Sequence, residues 1–571
     1  MTIKTSWDSR WESWIRWLAI GCLIVGIGLR FWQLDRSVFW YDEVATAIRA
    51  SGHRLEAFMA QEFTGQLVSL ADLATYWQSD GMSWHDTWQA LTSHPEHPPL
   101  YFLLTRWWMD CFGSSANSLR SLAAVLSLGL FPGIYWLGWE LSRSRLVGWL
   151  AIALVSLSPI HVLYAREARQ YSLWTVLVVL SGAALLRALR LSDRDQPDQR
   201  SQDPKPGDRL TSIQRIQTWW AVWWPAWWPY VLTLTLSFYT ALLTLFVAIA
   251  HGVYALFLDV ILFDRARPGR RVGSIVLSGA IATVAFIPWL IVLITGWEAA
   301  RDFTSWTTDY KEPRKQVWQR FADQIARGFI QLVPDRPPEL AWPSLLVTSL
   351  AVLVLGLVVW RCSLRVWGFV LCLALVASGC LVVPDAIDGA LRTLATRYWM
   401  PTFLGLQVAI ALLLSQALAG RRDWRWLGLV AAVALLTIGG VTSARLSQAP
   451  SLWMTKMIST GLPPIAEQIN RSPRPVIIAD AAIYHAGNTA ALARWLRPPA
   501  QFYLVPDFDR LSPAAVAQMA AQVTDRQHRF SDIYALNLST KARKQIKGQL
   551  KWAIETIPSD SQAWLDRLDP A

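Results

Sequence analysis

The feature that most constrains this chain is a repeated one. Apolar runs near the roughly twenty residues needed to cross a hydrocarbon layer recur through its first 445 positions. They fall at Ile15 to Trp32, Leu119 to Leu141, Leu146 to Tyr164, Tyr171 to Leu189, Trp228 to Phe238 and Ala241 to Phe263. The series continues at Val272 to Ile294, Leu345 to Trp360, Val366 to Val383, Tyr398 to Leu418 and Trp426 to Val441. Read this way the chain has about eleven spans. The stretch from Tyr230 to Phe263 is too long for one helix and divides near Tyr239-Thr240, with one tilted helix as the alternative. Backbone polar groups in hydrocarbon must be satisfied within each run, so the expected fold is a polytopic α-helical membrane protein.

Composition bears on what such a protein can bind. Hydrophobic residues make up 53% of 571 and charged residues only 16%, too apolar for a soluble enzyme of this length. The net charge of +12 does not point to nucleic acid, because the arginines cluster in short turns between apolar runs, where they set topology. The 35 tryptophans largely flank the runs, as an apolar ring with one donor does at headgroup level. Cys22, Cys111, Cys362, Cys372 and Cys380 have no paired spacing, so neither a disulfide framework nor a zinc site is expected. The first run lacks a small-residue cleavage site and is read as a retained anchor.

Alternate turns carry the arginines: Arg143 and Arg145, Arg187 to Arg215, Arg265 to Arg271, Arg361 and Arg365, and Arg421 and Arg422. Positive residues favour the cytoplasmic side, which places the N-terminus inside. The loops Asp35 to Asn117, Ala165 to Gln170, Gly296 to Pro343 and Pro384 to Arg397, with the tail, then lie outside. The segment Asp193 to Arg209 reads as a solvated cytoplasmic loop. The membrane module is expected over 1–445, with a long first external loop at 34–117. Within that loop, 100–112 is apolar at Leu100, Leu103, Leu104, Trp107, Trp108 and Cys111, with Arg106 and Asp110 off the stripe. The period fits an interfacial helix, a short tilted span being the alternative. Residues 446–571 alternate strand and helix patterns. Strands are expected at Pro475 to Ala479, Phe502 to Val505 and Ile533 to Leu538, with helices at Ala486 to Leu496, Pro513 to Val523 and Thr540 to Ala553. This predicts a small extracytoplasmic α/β domain serving as a lid or packing module.

Four polar clusters fall on the external side: Asp42-Glu43; Glu96-His97-Pro98-Pro99; Arg166-Glu167-Ala168-Arg169-Gln170-Tyr171; and Arg392 with Arg397-Tyr398. Acids and cations at one membrane edge are what sugar transfer from a lipid phosphate requires. A carboxylate takes the proton of an incoming hydroxyl, and cations hold the phosphate as its charge grows. Asp42, Glu43 and Glu167 are the candidate catalytic acids, and His97, Arg169, Arg392 and Arg397 the candidate phosphate ligands. Glu96, His97 and Tyr398 are candidates for substrate or for a divalent cation, although this mixed set dictates no metal. His251, mid-span, reads as a packing residue.

The order of Trp40-Tyr41-Asp42-Glu43, then His97-Pro98-Pro99-Leu100-Tyr101, then Ser158-Pro159-Ile160-His161 running into Glu167-Ala168-Arg169-Gln170-Tyr171, resembles the GT-C superfamily of membrane glycosyltransferases. The bacterial branch that includes protein O-mannosyltransferases and aminoarabinose transferases is the most similar, and Arg397-Tyr398 followed by Pro401 suits it. The resemblance implies an inner-membrane enzyme that moves one sugar from a polyprenyl phosphate to an extracytoplasmic acceptor, with Asp42 as base. Two positions depart from the pattern. His97 stands where aminoarabinose transferases carry a Lys, which replaces a permanent charge with one that titrates or binds metal, and Glu167 stands where some relatives have Asp. A flippase for lipid-linked sugars is the rival reading, and a membrane scaffold a third. Coupled transporters retain ionisable groups near the midplane, and His251 is nearly alone there.

Overall fold

A computed structural model describes residues 9–194, 212–261, 269–330, 342–420, 422–449, 459–525, 530–557 and 564–570. Among these, nine helices are long and apolar enough to cross a membrane: Glu12–Phe31, Ala116–Ser142, Tyr171–Asp193, Thr244–Ile261, Arg270–Thr295, Trp342–Arg361, Leu364–Asp388, Thr396–Ala419 and Asp423–Gln448. The run expected at Leu146 to Tyr164 is a pair of helices, Arg145–Ser156 and Pro159–Ala165, bent by 62°, and counting the pair as one span gives ten. The bend sits where Pro159 lacks an N–H and holds Ser158 extended. The run expected at Trp228 to Phe238 is the second half of a longer helix, Ser212–Phe238, which bears Pro225 and Pro229 inside it. Most of the solvated loop expected at Asp193 to Arg209 lies outside the described residues, as do Arg265 and Arg421.

The arginine-bearing turns gather at one end of the bundle. Asp193 closes the helix that Tyr171 opens, and it pairs with Arg271 at 3.1 Å and with Arg365 at 2.9 Å, while Arg271 also reaches Asp259 at 3.1 Å. A helix of 24 residues is about 36 Å long, so the residues just before Tyr171 lie at the far end.

That far end is roofed by the first loop. Helix Tyr41–Ser51 starts on a capping arrangement in which Glu43 reaches back to the Trp40 N–H at 3.3 Å, and it stops at Gly52, whose φ of 102° suits a residue without Cβ. Helix Leu100–Phe112 has the expected boundaries. Its buried residues are Tyr101, Phe102, Thr105, Arg106 and Met109, whereas Trp107 and Phe112 are exposed. The buried side thus carries Arg106 and Thr105 together with Phe102 and Met109, while Trp107 and Cys111 of the stripe turn outward. Arg106 is held inside by Asp110 at 3.1 Å, the Ser51 carbonyl at 2.9 Å and the Met82 carbonyl at 2.6 Å.

The tail folds as an α/β unit, but not alone. Its sheet has six strands, β1 (Gln66–Ser69), β2 (Pro475–Asp480), β3 (Gln501–Val505), β4 (Asp532–Leu536), β5 (Ala553–Ile557) and β6 (Leu565–Asp569), in the order β1-β3-β2-β4-β6-β5. Strands β2, β3 and β4 run parallel, and β6 and β5 add an antiparallel edge. The other edge, β1, comes from the first loop and pairs antiparallel with β3, Gln66 opposite Leu504. The sheet thus takes strands from both sides of residue 446. A β-strand presents unpaired N–H and C=O groups at its edge, and the loop supplies the groups that meet those of β3.

Helix Ile483–Ala493 of the tail packs on helix Tyr41–Ser51, with Gly487 so close to the Tyr41 ring that a Cβ there would collide with it. Gly487→Val is expected to lower stability by about 1–3 kcal/mol through forced repacking of Tyr41. Thermal unfolding of the detergent-solubilised protein checks this, and an unshifted transition would contradict the close docking.

Candidate functional site

Three residues of helix Tyr41–Ser51 share one face by the helical period: Asp42, Thr46 and Arg49. Arg169, in the turn before helix Tyr171–Arg194, bridges the first two. Its Nη1 donates to the Asp42 carbonyl at 3.2 Å and to Thr46 Oγ1 at 3.0 Å, and its Nη2 stands 3.7 Å from Asp42 Oδ2. From the other side Arg397 Nη2 stands 3.6 Å from the same oxygen. Neither contact is a hydrogen bond, and Asp42 Oδ2 is buried with no hydrogen-bond partner among the described residues. Arg397 is itself packed among the rings of Trp40, Tyr171 and Tyr398. Burial works to discharge Arg169, but the Asp42 carboxylate and Tyr171 together outweigh it and hold the guanidinium above its ordinary value.

Glu43 points to the opposite face and is fully buried. It accepts from Arg120 Nε at 2.8 Å and Nη2 at 2.6 Å, from the Ala168 N–H at 2.8 Å and from the Trp40 N–H. Arg120 also donates to the carbonyls of Leu34, Ser37 and Val38. These bonds fix the link from the first span to Asp42. Phe39 lies between two guanidiniums, Arg120 at 5.3 Å and Arg494 of the tail at 4.2 Å. Burial pushes Arg494 down to about 9.

The turn before helix Leu100–Phe112 faces the same end of the bundle. Trp289 holds the Pro95 carbonyl at 3.1 Å, and His94 bonds Glu56 at 2.9 Å and approaches Glu96 Oε1 at 3.4 Å. His97 Nε2 is 3.8 Å from the same Glu96 oxygen. Burial, then the charges of Arg49, Arg169, His94 and Arg397, hold His97 well below its usual range, so its ring is neutral.

Of the residues singled out in the sequence, the fold joins Asp42, Arg169 and Arg397 directly, with Tyr398 beside Arg397 and with Glu96 and His97 close by. Glu167 is buried, and burial, followed by the charge of Glu43, raises the nearby Tyr101 phenol above its ordinary value. Glu43, unlike Asp42, accepts from Arg120 and from backbone N–H groups. Arg392 has carboxylate partners of its own. Its guanidinium bonds Asp385 at 3.1 Å and Asp388 at 3.0 and 2.9 Å, within a brace that includes Arg320. Among the described residues no group of three or more His, Cys, Asp or Glu is placed to hold a metal ion. Arg49 and Arg120 were missed, although Arg49 lies seven residues after Asp42 on the same helical face.

The fold and site together are those of a multi-pass helical membrane protein with a carboxylate set between guanidiniums at one end of the bundle. The chain is similar to ArnT from Cupriavidus metallidurans, solved bound to undecaprenyl phosphate, with 15% identity, TM-score 0.46, and coverage of 97% of this chain and 98% of that one. It is also similar to the oligosaccharyltransferase AglB from Archaeoglobus fulgidus, solved with an inhibitory peptide and a dolichol-phosphate, with 12% identity, TM-score 0.48, and coverage of 93% and 70%. No family model and no curated protein matches the sequence.

Proposed function

We propose that this chain is an integral membrane glycosyltransferase that moves a single sugar from a polyprenyl-phosphate donor to an acceptor hydroxyl on the extracytoplasmic face. The observation that carries the reading is the Asp42 carboxylate, standing 3.6–3.7 Å from two buried guanidiniums without a hydrogen bond to either. That spacing supports a cradle open to a ligand. Arg169 and Arg397 hold the donor phosphate, and neutral His97 donates one further N–H to it. Asp42 takes the acceptor proton as that oxygen attacks the anomeric carbon. The carbon–oxygen bond to phosphate breaks on the opposite side, and the leaving polyprenyl phosphate carries its added charge against the two guanidiniums. One displacement inverts the anomeric centre. Glu43 and Arg120 hold Asp42 in position and touch no substrate.

The proposed topology counts the bent pair and helix Ser212–Phe238 as spans, which makes eleven, with the N-terminus cytoplasmic and the tail outside in a bacterial inner membrane. Cysteine labelling that put positions 42 and 167 on opposite faces would refute it.

Deletion of the gene is expected to make one polyprenyl-phosphate sugar accumulate in the membrane lipids and its product disappear, as read by mass spectrometry. Unchanged lipids would count against the transferase. With purified protein and undecaprenyl phosphate as the probe, Arg169→Lys and Arg397→Lys are each expected to weaken binding by about tenfold, because a point charge replaces a fork of donors. Undiminished binding in both variants would remove the phosphate from this cradle.

A further inference from the structure

Arg49 is the charged group for which the proposed chemistry has no use. It is completely buried, and none of its three guanidinium nitrogens has a hydrogen-bond partner among the described residues. Its guanidinium lies over the Phe303 ring at 5.3 Å. Five N–H donors left unsatisfied in a buried position are costly, and a site that keeps them so calls for a ligand. The neighbouring carboxylate that acts on it most strongly is Glu96, whose side chain is 6% exposed and whose two oxygens likewise accept no hydrogen bond among the described residues. The two charges influence each other without closing into an ion pair. Phe303 meets His94 and His97 edge-on, so an aromatic face and a neutral imidazole border the same place.

We infer that Arg49 and Glu96, with Phe303 beside them, form the sugar subsite, and that the sugar it takes is a neutral monosaccharide bearing vicinal hydroxyls. The inference rests on the transferase reading above and names its substrate class. A phosphate would satisfy Arg49 but be repelled by Glu96, whereas a hydroxyl accepts from the guanidinium and donates to the carboxylate at once. Two adjacent hydroxyls match the fork of Arg49 and the paired oxygens of Glu96. The apolar C–H face of the ring then meets Phe303. Arg49 lies about 10 Å along the helix from Asp42, which puts the sugar hydroxyls away from the anomeric carbon while that carbon stays near the base. A uronic acid would set its carboxylate against Glu96, and an amino sugar its ammonium against Arg49.

The test compares the full-length protein in nanodiscs with bare undecaprenyl phosphate and with undecaprenyl-phosphate donors. The donors carry glucose, galactose, mannose, arabinose, glucuronate or 4-amino-arabinose. At least one neutral-sugar donor is expected to bind about tenfold or more tighter than the bare lipid, as hydroxyls bonded to charged groups allow. Arg49→Gln and Glu96→Gln should each remove that excess and leave bare-lipid binding unchanged, which also shows that the variants are folded. Phe303→Leu, which removes neither charge, should reduce the excess several-fold. Retention of the excess in both charge variants, tightest binding of the glucuronate or amino-sugar donor, or loss of bare-lipid binding in Arg49→Gln would each overturn the sugar subsite. If the unmodified protein binds neither the bare lipid nor any donor, the transferase reading falls first and the subsite with it.

Discussion

Asp42→Asn is expected to lower turnover by about a thousandfold while tightening the hold on undecaprenyl phosphate. The first effect is the loss of a positioned general base, a contribution of about 100- to 10,000-fold. The second has its own cause. Asp42 Oδ2 stands 3.6–3.7 Å from the two guanidiniums proposed for the phosphate, so its charge competes for them and repels the incoming anion. An amide does neither. The opposite signs make the result diagnostic, because a variant that was merely misfolded would lose both binding and turnover. Full activity in Asp42→Asn, at normal expression, would show that another group takes the proton.

The second large effect belongs to a residue that touches no substrate. Glu43→Gln should destabilise the protein by about 3–5 kcal/mol, the usual cost of stranding one member of a buried ion pair. Glu43 and Arg120 are both fully buried, and Arg120 would keep its charge while losing the carboxylate that accepts at 2.6 and 2.8 Å. The same change leaves one accepting oxygen where there were two, so the Ala168 N–H, next to Arg169 in the chain, and the Trp40 N–H cannot both keep their bonds. Activity is expected to fall along with the unfolding temperature, since the turns carrying Asp42 and Arg169 both rest on Glu43. An unfolding temperature equal to that of the native protein would mean that the pair contributes no net stability.

These two acids are adjacent in the chain and were read alike from it, yet the fold gives them different tasks. On a helix, neighbouring residues point about 100° apart, so one faces the ligand and the other the interior. Nothing in the Asp-Glu pair says which is which. The resolution comes from Arg120, 77 residues away from Glu43 in the chain. Arg392 and Arg397 repeat the lesson. Both are basic residues of one short turn, but Asp385 and Asp388 take the first and leave the second beside Asp42.

What the amino-acid order determined by itself was whatever local periodicity and length decide: the apolar helices, the helix at 100–112, the parallel strands of the tail and the position of Asp42, His97, Arg169 and Arg397 outside the apolar runs. These depend on interactions within a few turns of chain and on the thickness of a bilayer. Only the tertiary structure decided that Gln66–Ser69 completes the sheet of the tail, that Glu43 answers Arg120, and that Arg49 is buried without a hydrogen bond. Each of those outcomes hangs on a partner, or on the lack of one, brought from a distant part of the chain. A buried charge is defined by the groups that surround it in space, and the order of residues does not record them.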